Sequence, residues 1–64
     1  MRTWLREIRK ENNFTMKQVA KKSGISESAY CFIERGSRNP SVNVAKKIAK
    51  VLGFNWTRFY EKQQ

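Results

Sequence analysis

The groups best suited to chemistry are gathered in one short stretch: the Glu27 carboxylate, the Ser28 hydroxyl, the Cys31 thiol, the Phe32 ring and the Arg35 guanidinium. On a helix turning about 100° per residue, these five share one face, and Ala29, Tyr30 and Ile33 fall on the other. An acceptor, a hydroxyl, an apolar ring and a cation side by side can match the donors, acceptors and methyl groups along base-pair edges, with a charge left for phosphate. That chemistry is recognition. Catalysis lacks its parts: the chain has no histidine, no acidic pair poised for proton transfer, no metal-ligand cluster and no glycine-rich phosphate loop. No enzyme, cofactor or metal is therefore expected. Cys31 has two readings, a redox-sensitive group on this face or a small apolar filler, and a lone helical cysteine is more often the filler.

Charge points to the same partner. Fourteen Lys and Arg against five Asp and Glu give a formal charge of +9 on 64 residues, a field that attracts polyanions. A merely basic soluble surface would show the same charge, so the balance alone does not choose between the two. The length allows a single domain, 1–64, whose core hides only about 60% of the unfolded chain's surface. One cysteine and no histidine offer no disulfide or metal staple, so stability must come from helix packing or a partner. A lone thiol suits a reducing compartment, and Met1, Arg2, Trp4, Leu5, Arg6 and Glu7 contain no apolar run resembling a signal peptide or membrane span. The expected location is cytoplasmic, nucleoid-associated when bound.

The elements that must position the stretch can be read from its punctuation. Glycine, proline and the Ser, Thr and Asn residues fall between apolar-periodic segments and divide the chain into five short helices, with no strand pattern. The first spans about Arg2 to Glu11, with Met1, Leu5, Ile8 and Asn12 on one face. Thr15 caps the second, Met16 to Ser23, with Gln18 completing a capping box, Val19 and Ala20 inward, and Gly24 allowing a sharp turn that tucks Ile25 beneath it. Ser26 caps the third, Glu27 to Arg35, whose first-turn Glu27 suits the helix dipole, and Gly36 ends it. After the loop Ser37, Arg38, Asn39 and Pro40, Ser41 opens a fourth helix with the stripe Val42, Ala45, Ile48, Ala49 and Leu52, opposite the solvated Lys46, Lys47 and Lys50. Gly53 caps it, and Asn55 opens a final turn or two bearing Trp56, Phe59 and Tyr60.

A short helix, a glycine turn and a second helix with a polar outer face form a helix-turn-helix pattern over about 16–35. Thr15, Val19, Ala20, Gly24, Ile25, Ser26 and Ser28, the run Ile33, Glu34, Arg35, Gly36, and then Pro40, Ser41, Ile48, Ala49, Leu52 and Gly53 together resemble the lambda-repressor-like helix-turn-helix domains, which include phage repressors and Cro proteins. The resemblance covers nearly the whole chain, with the DNA-binding domain at about 5–59. It implies an all-α, compact five-helix fold binding double-stranded DNA, usually as a homodimer on a two-fold symmetric operator. It places Glu27, Ser28 and Phe32 where the family reads bases, Ser26 where it grips a phosphate, and Arg38 and Asn39 in a loop that touches backbone. Cys31 points the same way as the base-facing set, and Lys17 and Arg35 join the backbone set. It also pairs Arg9 with Glu34, and helical phasing agrees, because each flanks the core stripe of its helix.

The sequence departs from the family at Met16, where a phosphate-contacting Gln is common and a thioether cannot donate. Lys17 beside it can substitute as a point charge. Phe32 stands where a polar reader is usual: it packs on a thymine methyl or leans onto the domain or a partner. Glu27 accepts from a cytosine amino group or simply complements the helix dipole. Trp56, Phe59 and Tyr60 have two uses, with Trp56 and Phe59 packing under Leu52 and Phe54, while Tyr60 with Val44, Val51 and Trp56 offers a dimer surface. The leading expectation is a small transcriptional regulator of the repressor type; the alternative is an antitoxin-like or anti-repressor protein-interaction module on the same fold. A membrane-surface peptide would share the charge but not the pattern.

Overall fold

Local hydrogen bonds set where each element begins. A computed structural model describes residues 1–61, so the last three residues of the expected 1–64 domain lie outside the described residues. Helix α1 spans Thr3–Glu11, α2 Met16–Ser23, α3 Glu27–Arg35 and α4 Val42–Leu52, followed by a 3-10 helix, Trp56–Tyr60. Thr15 Oγ1 accepts from Gln18 N at 3.1 Å while Thr15 N donates to Gln18 Oε1 at 2.8 Å, so the capping box closes in both directions. Ser26 Oγ accepts from Ala29 N at 3.1 Å and Ser41 Oγ from Val44 N at 3.3 Å, starting α3 and α4 in the same way. The final element is tighter than an α-helix, with Asn55 Oδ1 accepting from Thr57 N at 3.0 Å.

The turn between α2 and α3 needs Gly24, whose φ of 74° is left-handed. A Cβ there would meet nothing within 4 Å, so backbone conformation and not space demands glycine. Ile25 N then donates to Ala20 O at 3.0 Å, closing α2 and folding α3 back across it.

Leu5, Val19, Tyr30, Ile33, Ala45, Ile48, Leu52 and Phe59 form one core, and each large member buried contributes roughly 1.5–3 kcal/mol relative to exposure. Helix α2 packs chiefly on α4 and α3, and the 3-10 helix closes the far side of α4. Under that end Trp4 meets Phe54 and Phe59 edge to face, with centroids 5.3 Å apart, and the two phenyl rings lie tilted at 5.5 Å. Thus Phe59 enters the core, while Trp56 stays half-buried beside Tyr60, centroids 6.0 Å apart.

Three details depart from the expected pattern. Helix α1 begins at Thr3, so Met1 precedes it, escapes its phase and is 73% exposed. Trp4 takes up apolar packing on that side. Val42 is 47% exposed, because it is the first residue of α4 and the buried stripe starts one turn later, at Ala45. Asn12 is also exposed, yet its Nδ2 donates to Ile8 O at 2.8 Å and Leu52 O at 3.3 Å, tying the end of α1 to the end of α4.

Candidate nucleic-acid interface

The inner face of α3 is held by a buried polar network. Arg9 Nε lies 2.7 Å from Glu34 Oε1 and Nη2 lies 3.3 Å from Oε2, while Arg9 Nη1 donates to Phe14 O at 2.8 Å. The Tyr30 hydroxyl donates to the same Glu34 Oε1 at 3.0 Å. The side chains of Arg9 and Glu34 are 11% and 4% exposed, so the carboxylate has exchanged water for three donors. The hydrogen bond to Glu34 holds the Arg9 pKa above its ordinary value. Burial, then the neighbouring Glu34 charge, pushes Tyr30 well above its own, keeping the phenol protonated as a donor. Tyr30, expected only on the apolar side, is one helical turn from Glu34, a spacing from which its place in this network could have been read.

The outer face of α3 is open. Met16, Glu27, Ser28, Cys31, Phe32 and Arg35 line a shallow groove of about 250 Å³. Glu27, Ser28 and Arg35 are exposed, Cys31 is half-buried, and Phe32 is 41% exposed. Met16, from the start of α2, is a lining residue in its own right and makes one wall of the groove apolar. Phe32 does not fold into the core; its ring lies 5.4 Å from the Arg38 guanidinium, a cation–π contact that steadies both side chains.

Around this groove sit the groups suited to phosphate. Ser26 uses its hydroxyl oxygen as the α3 cap, which leaves its proton free to donate. Lys17 is exposed at the first turn of α2, and Arg38 and Asn39 are exposed in the loop after α3. Asn39 Oδ1 accepts from Arg2 Nη2 at 2.6 Å, a contact that sequence reasoning missed because it joins residues 37 apart in the chain, which no helical period relates. The surface assigned to a second copy, Val44, Val51, Trp56 and Tyr60, lies on α4 and the 3-10 helix: the first three are half-buried and Tyr60 is 46% exposed. The Tyr60 hydroxyl donates to Pro40 O at 2.8 Å, and Lys46 Nζ lies 5.2 Å from the Trp56 ring centre. No helix among the described residues is long and apolar enough to cross a membrane.

An all-helical domain in which a capped two-turn helix and a left-handed glycine set a second helix across the surface is a helix-turn-helix domain. Residues 5–59 match the helix-turn-helix family model, and the chain belongs to this lambda-repressor-like family. It is 51% identical over 61 residues to a protein of Bacillus subtilis (strain 168) described as the uncharacterized HTH-type transcriptional regulator YqaF, covering 95% of this chain and 80% of that protein. An uncharacterized HTH-type transcriptional regulator of Archaeoglobus fulgidus is 43% identical over 52 residues, covering 81% of this chain and 74% of the relative. Among solved structures, the N-terminal DNA binding domain of SinR from Bacillus subtilis superposes with a TM-score of 0.82 at 25% identity, covering 97% of this chain and 91% of that one.

Proposed function

We propose that this protein is a cytoplasmic, sequence-specific transcriptional repressor that lays α3 in the major groove of double-stranded DNA, as a homodimer on a two-fold symmetric operator. The observation that carries this reading is the open groove on α3, where acceptor, hydroxyl, ring and guanidinium stand exposed on a helix whose other face is fixed by buried contacts. Family membership and the charge of +9 agree with it. Ser28, Glu27, Cys31 and Phe32 are the base-facing set; Lys17, Ser26, Arg35, Arg38 and Asn39 hold backbone. Phe32, with Met16 beside it, supplies an apolar wall for a thymine methyl. The second copy docks through Val44, Val51, Trp56 and Tyr60, extended by the exposed Val42.

Selection of bound fragments from random duplex DNA tests the reading. An inverted repeat with half-sites about 10 base pairs apart is expected. If the dimer neutralises on the order of six to eight phosphates, log affinity falls with log salt at a slope of roughly −5 to −7. Binding that ignores salt overturns the proposal. Phe32 and Tyr60, both over 40% exposed, favour a second reading, a protein-interaction module. Regulatory activity that survives Ser28→Ala with Arg38→Ala would select it.

A further inference from the structure

One side chain near the groove is more fully engaged than any phosphate-binding residue should be. Arg2 Nη1 donates to Ile33 O at 2.6 Å and Arg38 O at 3.2 Å, and Nη2 donates to Asn39 Oδ1 at 2.6 Å. Its backbone N donates to Glu34 O at 2.9 Å, and the guanidinium carbon lies 5.6 Å from the Phe59 ring centre. A single cation thus ties the C-terminal carbonyls of α3 to the loop after it, at the end of the helix where the dipole favours positive charge. Arg2 lies outside residues 5–59, the stretch matched by the family model.

The consequence lies in Asn39. A guanidinium has donors only, so the amide must turn its oxygen to Arg2. That turns Nδ2, a donor only, away from Arg2 on an exposed loop, and no hydrogen bond of Nδ2 is formed among the described residues. A phosphate offers acceptors only. The same contact holds the Arg38 carbonyl, fixing the backbone from which the Arg38 side chain reaches across the Phe32 ring.

We infer that Arg2 is a positioning residue for DNA backbone contact: it does not touch DNA but orients Asn39, and the loop carrying Arg38, so that donors face phosphate. The inference rests on the proposed DNA-binding reading. It explains how a short loop outside any helix presents donors without first having to be ordered on binding.

Because phosphate contacts are independent of sequence, the probe is a random duplex of roughly 25 base pairs at low salt. Asn39→Ala is expected to weaken binding about tenfold, the loss of a hydrogen bond to a charged group, and Arg2→Met to weaken it by a similar factor. In the double variant the two losses should fall well short of multiplying, because Arg2 acts in large part through Asn39. Because the Asn39 amide carries no charge, Asn39→Ala should lower affinity with the salt slope nearly unchanged. Losses that multiply, or an Arg2→Met variant that binds as the parent does, overturn the inference while leaving DNA binding intact. If Asn39→Ala binds as the parent does, the loop does not touch phosphate and the inference falls, although the groove reading survives. If no variant nor the parent binds duplex DNA, the proposed function itself has failed. Should Arg2→Met unfold, Asn39→Asp replaces it: the carboxylate keeps the Arg2 contact, so the melting temperature holds or rises, yet binding falls further than in Asn39→Ala because an acceptor then meets phosphate. A melting temperature lowered to that of Asn39→Ala would show that Arg2 does not hold this side chain, and would overturn the inference.

Discussion

The two faces of α3 obey different rules although they share one backbone. Inward, every polar group has a defined partner: Glu34 takes donors from Arg9 and Tyr30, and Arg9 gives its remaining reach to Phe14 O. Outward, Glu27, Ser28, Phe32 and Arg35 meet solvent around an open groove. The inner face is constrained by the cost of burying unpaired polar groups, the outer face by whatever it must bind. Stability and recognition are therefore separable on a single helix, and substitutions on the two sides should fail in different assays.

The largest effect is expected on the inner side. Arg9→Met leaves the Glu34 carboxylate buried without its cation, which costs about 3 kcal/mol. In a domain whose total stability is of order 5 kcal/mol, the variant should be largely unfolded near physiological temperature, as followed by circular dichroism. Adding Glu34→Leu should restore much of the loss, since a buried pair replaced by apolar groups is often neutral. A single variant as stable as the parent would show that the pair is solvated in solution and that the contrast between the faces is false.

On the outer side, Phe32→Ala and Ser28→Ala should each change stability by no more than about 0.5 kcal/mol. Deleting a side chain that reads a base directly should weaken binding to a selected operator by about 1–3 kcal/mol. For Phe32 the effect should be largest where a thymine lies in the site, and replacing that thymine by uracil should reproduce it in the parent protein. A Phe32→Ala variant that melts several degrees lower would instead put the ring in the fold's support.

A smaller effect, about 1 kcal/mol, is expected from Tyr30→Phe, which removes one of the three donors to Glu34. The same tyrosine gives the domain an alkaline limit. Its pKa is raised on folding from the ordinary 10.0, so above pH 10 the unfolded chain loses a proton that the folded one retains. That contribution to stability is whole below pH 10 and is lost as pH rises beyond it. Urea denaturation at about pH 8 and again above pH 10 should show the parent losing more stability than Tyr30→Phe.

Much of this architecture was legible from the chain. Caps at Thr15, Ser26 and Ser41 and glycines at 24, 36 and 53 are local chemistry, so the bounds of α2 and α3 could be read residue by residue. The composition of the groove was legible too, because one helical phase decides which α3 residues share a face. What stayed hidden was contact between segments distant in sequence. Arg2 reaching Ile33 O and Asn39 Oδ1 has no period to reveal it, and Met16 joins the groove only because α2 and α3 cross. Met1 was misplaced for a related reason, since helical phase was extended past the first helical residue.

The last prediction carries the rule of that inner face to the neighbouring helix α2, where it meets an exception. Ser23, at the end of α2, is 1% exposed, and its hydroxyl is the one buried side-chain polar atom without a partner among the described residues. If satisfaction of buried polar groups governs that side, this hydroxyl is a cost: an unpaired group carries a desolvation penalty of about 1–3 kcal/mol. Ser23→Ala deletes it with almost no change in volume and adds helix propensity of a few tenths of a kcal/mol. The variant should be more stable by about 1 kcal/mol, which for a domain of this size raises the melting temperature by roughly 4–8 °C. DNA affinity should stay unchanged, because Ser23 lies at the opposite end of α2 from Met16 and Lys17. A destabilised Ser23→Ala would mean that a partner for the hydroxyl exists in solution, and the rule for buried polar groups would then hold on both helices.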